Sequence, residues 1–263
     1  MNVGAGKVSS EWRTLLVTVD GGVATVAMNR PDRYNTASNE MIAELHACLT
    51  ELAGRDDVHA VQLTGTGRAF CPGAEIQTEG DDTFGEGFVK VDGKASPIYD
   101  VAAQLHDMPQ LTVATINGGC AGAGFGFACG CDVRVAKKSA KFTTAFLSLG
   151  IPGDMSVPWS LPRIIGAGPA RFLSFFPDKF TADDALRVGL VSAVYPDDEY
   201  EESVGALVAR LRATNPSGVR ALKQNYLHAE RMDMAEYTRY EAAANVVIFD
   251  AAEQARATAG SRS

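Results

Sequence analysis

The strongest constraint on the fold of this chain is an alternation. Short apolar runs at residues 23–28, 58–63, 113–116 and 133–136 are separated by long stretches, one with a clear helical period. Residues 38–53 place Met41, Leu45, Cys48, Leu49 and Leu52 at helical spacing. Strands that alternate with helices predict parallel pairing through βαβ crossovers. Residues 15–19 and 23–28 flank Asp20-Gly21-Gly22, which is a hairpin signal. From about Ala167 onward the pattern is mostly helical. Thr181 is a capped start, Pro216 opens another helix, and residues 234–250 form a last one. Residues 77–96 are rich in glycine and acids and have no clear periodicity, as in a functional or mobile loop. No internal repeat, linker or low-complexity tract interrupts the chain. The expectation is an α/β core followed by a helical C-terminal part.

Bulk properties narrow the function. A chain of 263 residues can bury a core of its own. A net charge of −8 argues against nucleic acid as a partner. A phosphorylated small ligand stays open, because a few local cations can hold one. The five cysteines, Cys48, Cys71, Cys120, Cys129 and Cys131, form no CxxC pair. That spacing supports neither a metal site nor a disulfide framework. The first twelve residues lack the apolar segment of a secretory signal, and no run is long enough to cross a membrane. A cytoplasmic location with no membrane partner is expected.

Two glycine-rich segments carry the chemistry. The first runs Gly65-Thr66-Gly67-Arg68-Ala69-Phe70-Cys71-Pro72-Gly73-Ala74-Glu75-Ile76, just after a strand. Gly73 permits a backbone geometry that turns a peptide N–H into a cavity. The second runs Asn117-Gly118-Gly119-Cys120-Ala121-Gly122-Ala123-Gly124-Phe125-Gly126, again after a strand. Small residues that open a helix gather free N–H groups and a positive dipole end at one place. Two such donors from two loops make an oxyanion hole. Either segment alone reads equally well as a tight turn with close backbone packing, and no phosphate-loop Gly-Lys-Ser/Thr follows.

Taken together, the segments resemble the crotonase, or enoyl-CoA hydratase/isomerase, family. Asn29-Arg30-Pro31 with Asn35, Leu161-Pro162-Arg163-Ile164-Ile165-Gly166 and Ala185-Leu186-Arg187-Val188-Gly189-Leu190-Val191 extend the match over residues 14–230. The resemblance implies a crotonase-like spiral of ββα turns over 14–200, after a short segment at 1–13. It implies that 201–263 is a helical trimerisation region, in a homotrimer or dimer of trimers. The implied ligand is an acyl-CoA thioester, with coenzyme A entering as part of the substrate and no separate cofactor. Its carbonyl would accept hydrogen bonds from the N–H groups of Ala74 and Ala123, the second usually a glycine in the family. Arg33, Tyr34 and Asn35 fall where the family meets the CoA adenine and ribose. An exposed surface charge explains Arg33 equally well. Pro72, Gly73, Glu75, Ile76 and Gly122 flank the implied acyl site, although Glu75 reads as a structural acid.

The acids depart from the family's hydratases. The two hydratase glutamates correspond to Gly126 and Phe146 here, and neither residue moves a proton. Asp154, in Gly150-Ile151-Pro152-Gly153-Asp154, resembles the aspartate that faces the acyl chain in dienoyl-CoA and ring isomerases. A carboxyl buried beside Trp159 and Phe146 would have its pKa raised by desolvation. Asp154 could instead cap a helix that begins near Ser156. Phe146, Phe125 and Trp159 suggest an apolar pocket, and core packing explains them too. Asp132 reads as structural; Asp81, Asp82 and Glu86 read as a solvated loop. His46, His59, His106 and His228 form no dyad, and Cys71 and Cys120 have no base partner. The C-terminus lacks the aromatic and Lys-Arg pair that often cover CoA in the family. The expected activity is double-bond isomerisation with Asp154 as proton carrier. A hydratase or lyase using another acid, a non-catalytic acyl-CoA binder and a diketone hydrolase remain alternatives.

Overall fold

A computed structural model describes residues 12–74 and 89–260. The chain opens on strands β1 (Leu15–Asp20) and β2 (Val23–Met28). They pair antiparallel from Leu15↔Met28 to Asp20↔Val23, as the hairpin signal predicts. Gly21 and Gly22 turn at φ 55° and 78°, the left-handed values of a two-residue hairpin turn. Helix α1 (Asn39–Ala53) follows, and the Ser38 side chain caps it by accepting from the Met41 N–H. Its predicted stripe, Met41, Leu45, Cys48, Leu49 and Leu52, is buried.

A two-strand unit then recurs three times. Strand β3 (Ala60–Gly65) leads to short β4 (Ala69–Cys71). After a small hairpin of β5 (Lys90–Val91) and β6 (Lys94–Ala95) comes helix α2 (Val101–Asp107). Strand β7 (Leu111–Ile116) leads to β8 (Gly119–Ala121) and helix α3 (Gly122–Gly130). Strand β9 (Val133–Lys137) leads to β10 (Lys141–Thr143), helix α4 (Val157–Ile165) and helix α5 (Ala167–Phe175). Strand β11 (Phe180–Thr181), helix α6 (Ala182–Arg187), strand β12 (Ala193–Tyr195) and helix α7 (Tyr200–Arg212) follow. Each long strand joins one sheet, in the order β1-β2-β3-β7-β9-β12, parallel from β2 onward. Each short strand joins a second sheet, in the order β11-β10-β8-β4. This is a spiral of ββα turns. The repeat lies in the backbone path and not in the residues, so sequence self-comparison misses it.

The parallel strands are covered on both faces. Val61, Leu63, Ala114 and Ile116 face the main core with α1. Ala60 and Val113 face Val204, Val208 and Leu211 of α7. On that second face Thr25 Oγ1 donates to Gln62 Oε1 (3.0 Å), and Gln62 Nε2 donates to Thr115 Oγ1 (2.9 Å). His59 Nε2 lies 2.9 Å from the Leu211 carbonyl, so this buried histidine ties β3 to α7.

Several boundaries differ from expectation. The chain divides into two compact units between Thr214 and Asn215, so α7 belongs with the sheets. The second unit contains α8 (Pro216–Ala229) and α9 (Met234–Gly260), the latter running beyond residue 250. Within it His228 stacks on Tyr240 with ring centroids 4.1 Å apart. The stretch 77–96 is not irregular throughout. Asp92 (φ 51°) and Gly93 (φ 76°) form a tight hairpin turn between β5 and β6. Asp-Gly is a recognised hairpin signal, here masked by strands of two residues each. No helix among the described residues is long and apolar enough to cross a membrane.

Candidate active site

Strand register brings the two glycine-rich loops together. Cys71 of β4 pairs with Cys120 of β8 in a parallel ladder. Ala74 and Ala123 each stand three residues further on, so equal steps from a paired register carry both to the same end of the sheet. There the loops meet at glycines. A Cβ on Gly73 (φ 110°) would lie 3.3 Å from the Ala121 oxygen. A Cβ on Gly122 (φ 50°) would lie 3.3 Å from the Gly73 Cα. Both residues hold left-handed backbone that glycine tolerates best.

The two amides are left over for different reasons. Ala123 is the second residue of α3, and Ala121 before it provides no side-chain cap. First-turn N–H groups have no partner within the helix and lie at its positive end. Ala74 forms a parallel bridge to Ala37, in which the Ala37 N–H donates to the Gly73 carbonyl (2.8 Å). The Gly73 carbonyl and the Ala74 N–H belong to one trans peptide and point in opposite directions, so this bond leaves the Ala74 N–H directed away from Ala37.

Two carboxamides hold these loops. Asn35 is fully buried at φ 60°. Its Oδ1 accepts from the Arg30 N–H (2.8 Å), and its Nδ2 donates to the carbonyls of Thr66 (2.9 Å) and Ala69 (2.8 Å). From the other side Asn117 Nδ2 donates to the carbonyls of Gly65 (2.8 Å) and Gly67 (3.0 Å). Asn35 therefore braces the first loop. Beside it stands a residue that sequence reasoning left without a role. Arg68 Nη2 donates to Tyr34 Oη (2.8 Å), and its guanidinium lies 5.1 Å from the Tyr34 ring centroid. Arg33, Tyr34 and Arg68 are exposed together on this edge. Arg68 lies inside the recognised Gly67-Arg68-Ala69-Phe70 motif, which was the available signal.

At the far side of the second loop, helix α3 exposes no side chain at Gly126. A Cβ there would collide with the Met155 Cβ and approach its carbonyl oxygen to 3.0 Å. Gly126 follows Ala123 by three residues and so shares its helix face. The segment that carries Asp154 is thereby seated one helical turn from the Ala123 amide. Asp154 is half-buried, and its Oδ1 accepts from the Met155 N–H (2.8 Å). Burial raises its pKa, and the Met155 hydrogen bond opposes the rise. The Asp154 side chain does not cap helix α4, contrary to the capping alternative. Helix α4 is preceded by Ser156 without a side-chain cap, and the Asp154 carboxyl bonds an amide that lies outside the helix.

The other expected residues fall as follows. Pro72 is exposed and Gly73 is buried. Phe146 is 5% exposed, and its carbonyl accepts from Leu149 and Ile151. Trp159 is 44% exposed, and its ring packs against His106 (5.1 Å) and under the Arg163 guanidinium (3.9 Å). Phe125 is buried and packs edge-on against Phe180, with ring centroids 6.4 Å apart. Asp132 is structural, accepting from the Thr112 N–H and Oγ1. Burial pushes the thiols of Cys48, Cys71 and Cys129 up to about 12 and that of Cys120 well above its usual value, so none is poised as a nucleophile. Glu75, Ile76, Asp81, Asp82 and Glu86 lie outside the described residues.

A ββα spiral with two glycine-opened amides at one sheet end is the arrangement of the crotonase fold. The family described as Enoyl-CoA hydratase/isomerase matches residues 18–259. The 1,2-epoxyphenylacetyl-CoA isomerase of Escherichia coli K12 is 34% identical over 220 residues, 82% of each chain. The 4-chlorobenzoyl coenzyme A dehalogenase-1 of an Arthrobacter species is 30% identical over 226 residues, covering 86% of this chain and 82% of its own. A solved structure from Streptomyces coelicolor A3(2) superposes with TM-score 0.85 at 29% identity, over 98% and 95% of the two chains. A Thermobifida fusca YX protein solved with acetoacetyl-CoA gives TM-score 0.75 at 28% identity, over 90% and 95%. The chain belongs to the enoyl-CoA hydratase/isomerase family of acyl-CoA enzymes.

Proposed function

We propose that the protein is an acyl-CoA isomerase that moves a double bond by carrying a proton between the α- and γ-carbons of a thioester. The thioester carbonyl accepts from the Ala74 and Ala123 N–H groups, and Asp154 carries the proton. A thioester acidifies its α-carbon, and loss of that proton places charge on the carbonyl oxygen. Fixed N–H donors favour that charge over the neutral ground state by roughly 3–4 kcal/mol each. The observation that supports the reading is the contact of Met155 with Gly126, one helical turn from Ala123, because the residue before Met155 is the half-buried Asp154. Gly73, Gly122 and Phe146 flank the acyl group in this reading.

The test is α-proton exchange in heavy water, followed by proton NMR on saturated and unsaturated acyl-CoAs. Isomerisation predicts exchange and a migrated double bond. Loss of enoyl absorbance by addition of water would select the hydratase instead. Affinity with neither reaction would select a binder, and cleavage of a CoA-free cyclic diketone would select a hydrolase. A second reading draws on the similarity to the Arthrobacter dehalogenase. A carboxylate beside an oxyanion hole can also act as a nucleophile on an activated aryl thioester. Chloride release from 4-chlorobenzoyl-CoA would favour it.

The CoA end is assigned to Arg33, Tyr34 and Arg68. Arg68→Ala is expected to raise KM for acyl-CoA about five- to tenfold with kcat unchanged, the loss of roughly 1 kcal/mol of uniform binding. Steady-state kinetics read this, and an unchanged KM would remove Arg68 from the ligand site.

A homotrimer or dimer of trimers is also proposed. It is supported by exposed Phe172 and Phe175 on α5, with Phe176 following, and by exposed Val247 and Phe249 on α9. Sedimentation equilibrium should give three or six times 27.9 kDa; a monomer would refute it.

A further inference from the structure

Gly126 lies in the interior of helix α3, where glycine is a poor choice by propensity. Its backbone is not left-handed, so conformation does not require it. Space does. The Met155 Cβ occupies the volume a side chain at 126 would take, with the Met155 carbonyl 3.0 Å and Cα 3.3 Å from that same point. The chain around Asp154 is shaped to reach this position. Gly153 sits at φ 145°, Met155 at 44° and Ser156 at 59°. Gly153 admits no side chain either, since a Cβ would lie 2.6 Å from Pro158 Cγ. Left-handed Met and Ser are unfavourable by themselves and persist where packing on both sides enforces them. Asp154 is the residue this turn presents, and its bond to the Met155 N–H makes the carboxyl follow the Met155 backbone.

We propose that Gly126 is a positioning residue: its bare backbone is the seat of Met155, and that seat fixes where the Asp154 carboxyl stands relative to the Ala123 amide. The inference rests on the reading of Asp154 as proton carrier. In this chain a side chain at 126 requires the 153–156 turn to shift, and the Asp154 carboxyl with it.

The experiment compares full-length wild type with Gly126→Ala, Met155→Ala and Met155→Gly. Met155→Ala keeps the Cβ that fills the seat. Met155→Gly empties it without touching helix α3, and glycine suits φ 44°. Each protein is measured for acyl-CoA affinity, α-proton exchange at saturation, and titration of the Asp154 carboxyl by carbon-13 NMR. Gly126→Ala and Met155→Gly are expected to lower exchange at least tenfold, with affinity within about twofold. In both, the Asp154 titration should move down toward an ordinary aspartate, while Met155→Ala stays near wild type. If Gly126→Ala does not fold, the two Met155 variants carry the comparison alone. An Asp154 titration and an exchange rate indifferent to an emptied seat would overturn the inference. Wild type without exchange would instead refute the proton-carrier reading, and the carboxyl titration would still decide whether the seat positions Asp154.

Discussion

Asp154→Asn is expected to lower α-proton exchange on bound acyl-CoA by about 100- to 10,000-fold, the usual contribution of a positioned general acid/base. Affinity for the thioester should stay within a few fold, because the carbonyl contacts come from the Ala74 and Ala123 backbone. The substitution is nearly isosteric and keeps an oxygen that can accept from the Met155 N–H, now 2.8 Å from Oδ1. What it removes is the proton acceptor. Exchange that persists in Asp154→Asn would move the base elsewhere and sink the proposed mechanism.

The pH dependence follows from the same carboxyl. Asp154 must be ionised to accept a proton, and burial raises its pKa. The acidic limb of the exchange rate should therefore fall above the ordinary aspartate range. It should be absent from the residual activity of Asp154→Asn. The effect on stability has the opposite sign from that of a salt-bridged acid. A raised folded-state pKa means that the native protein binds this proton more tightly than the unfolded chain does. Stability contributed by Asp154 thus falls as pH rises from the unfolded to the folded value, and the cost is fully present above the latter. Asp154→Asn removes that cost. Its Tm should exceed that of wild type at neutral pH, and the difference should close under acid.

The parts of this site that were legible in the sequence are those set by backbone. The β2–α1–β3 path followed from a hairpin signal, a five-residue apolar stripe at helical spacing and a short apolar run, all local properties. The two glycine-rich loops followed from their composition and their place after strands, while Ala74 and Ala123 within them came from the family resemblance. Side-chain surroundings were less legible, because they depend on which elements meet. Trp159 packs against His106 and under the Arg163 guanidinium, contacts that no local pattern specifies. Asp154 offered two readings, cap and carboxyl in a site, which differ only in where its oxygen points. Gly126 read as a lost glutamate. The fold adds that its emptiness is occupied, by a residue 29 positions further along the chain. Arg68 was passed over because partnership with Tyr34 requires Asn35 to fold one loop onto the other.

The same close approach predicts the largest stability effect in the site. Gly124→Ala should destabilise the protein by about 3 kcal/mol, at the upper end of overpacking costs. For a unit of this size that lowers Tm by about 10 °C. An added Cβ would strike the Cys71 carbonyl, and the Cys71 Cβ and carbonyl carbon lie close behind it, at 2.6 and 2.8 Å. All of these are main chain or the root of a fully buried residue, so no flexible side chain can yield. Relief requires β4 and α3 to separate. Ala74 follows β4 and Ala123 opens α3, so separation also spreads the two amides that receive the thioester oxygen. Folding and turnover should fall together, with kcat reduced beyond the loss of folded protein. Gly119→Ala is the matched control. It lies in the same glycine-rich segment, has no atom within 4 Å of its Cβ position, and should leave both quantities nearly unchanged. If Gly124→Ala melts like wild type, the hole does not depend on this contact, and its geometry must be set by the Asn35 and Asn117 braces alone.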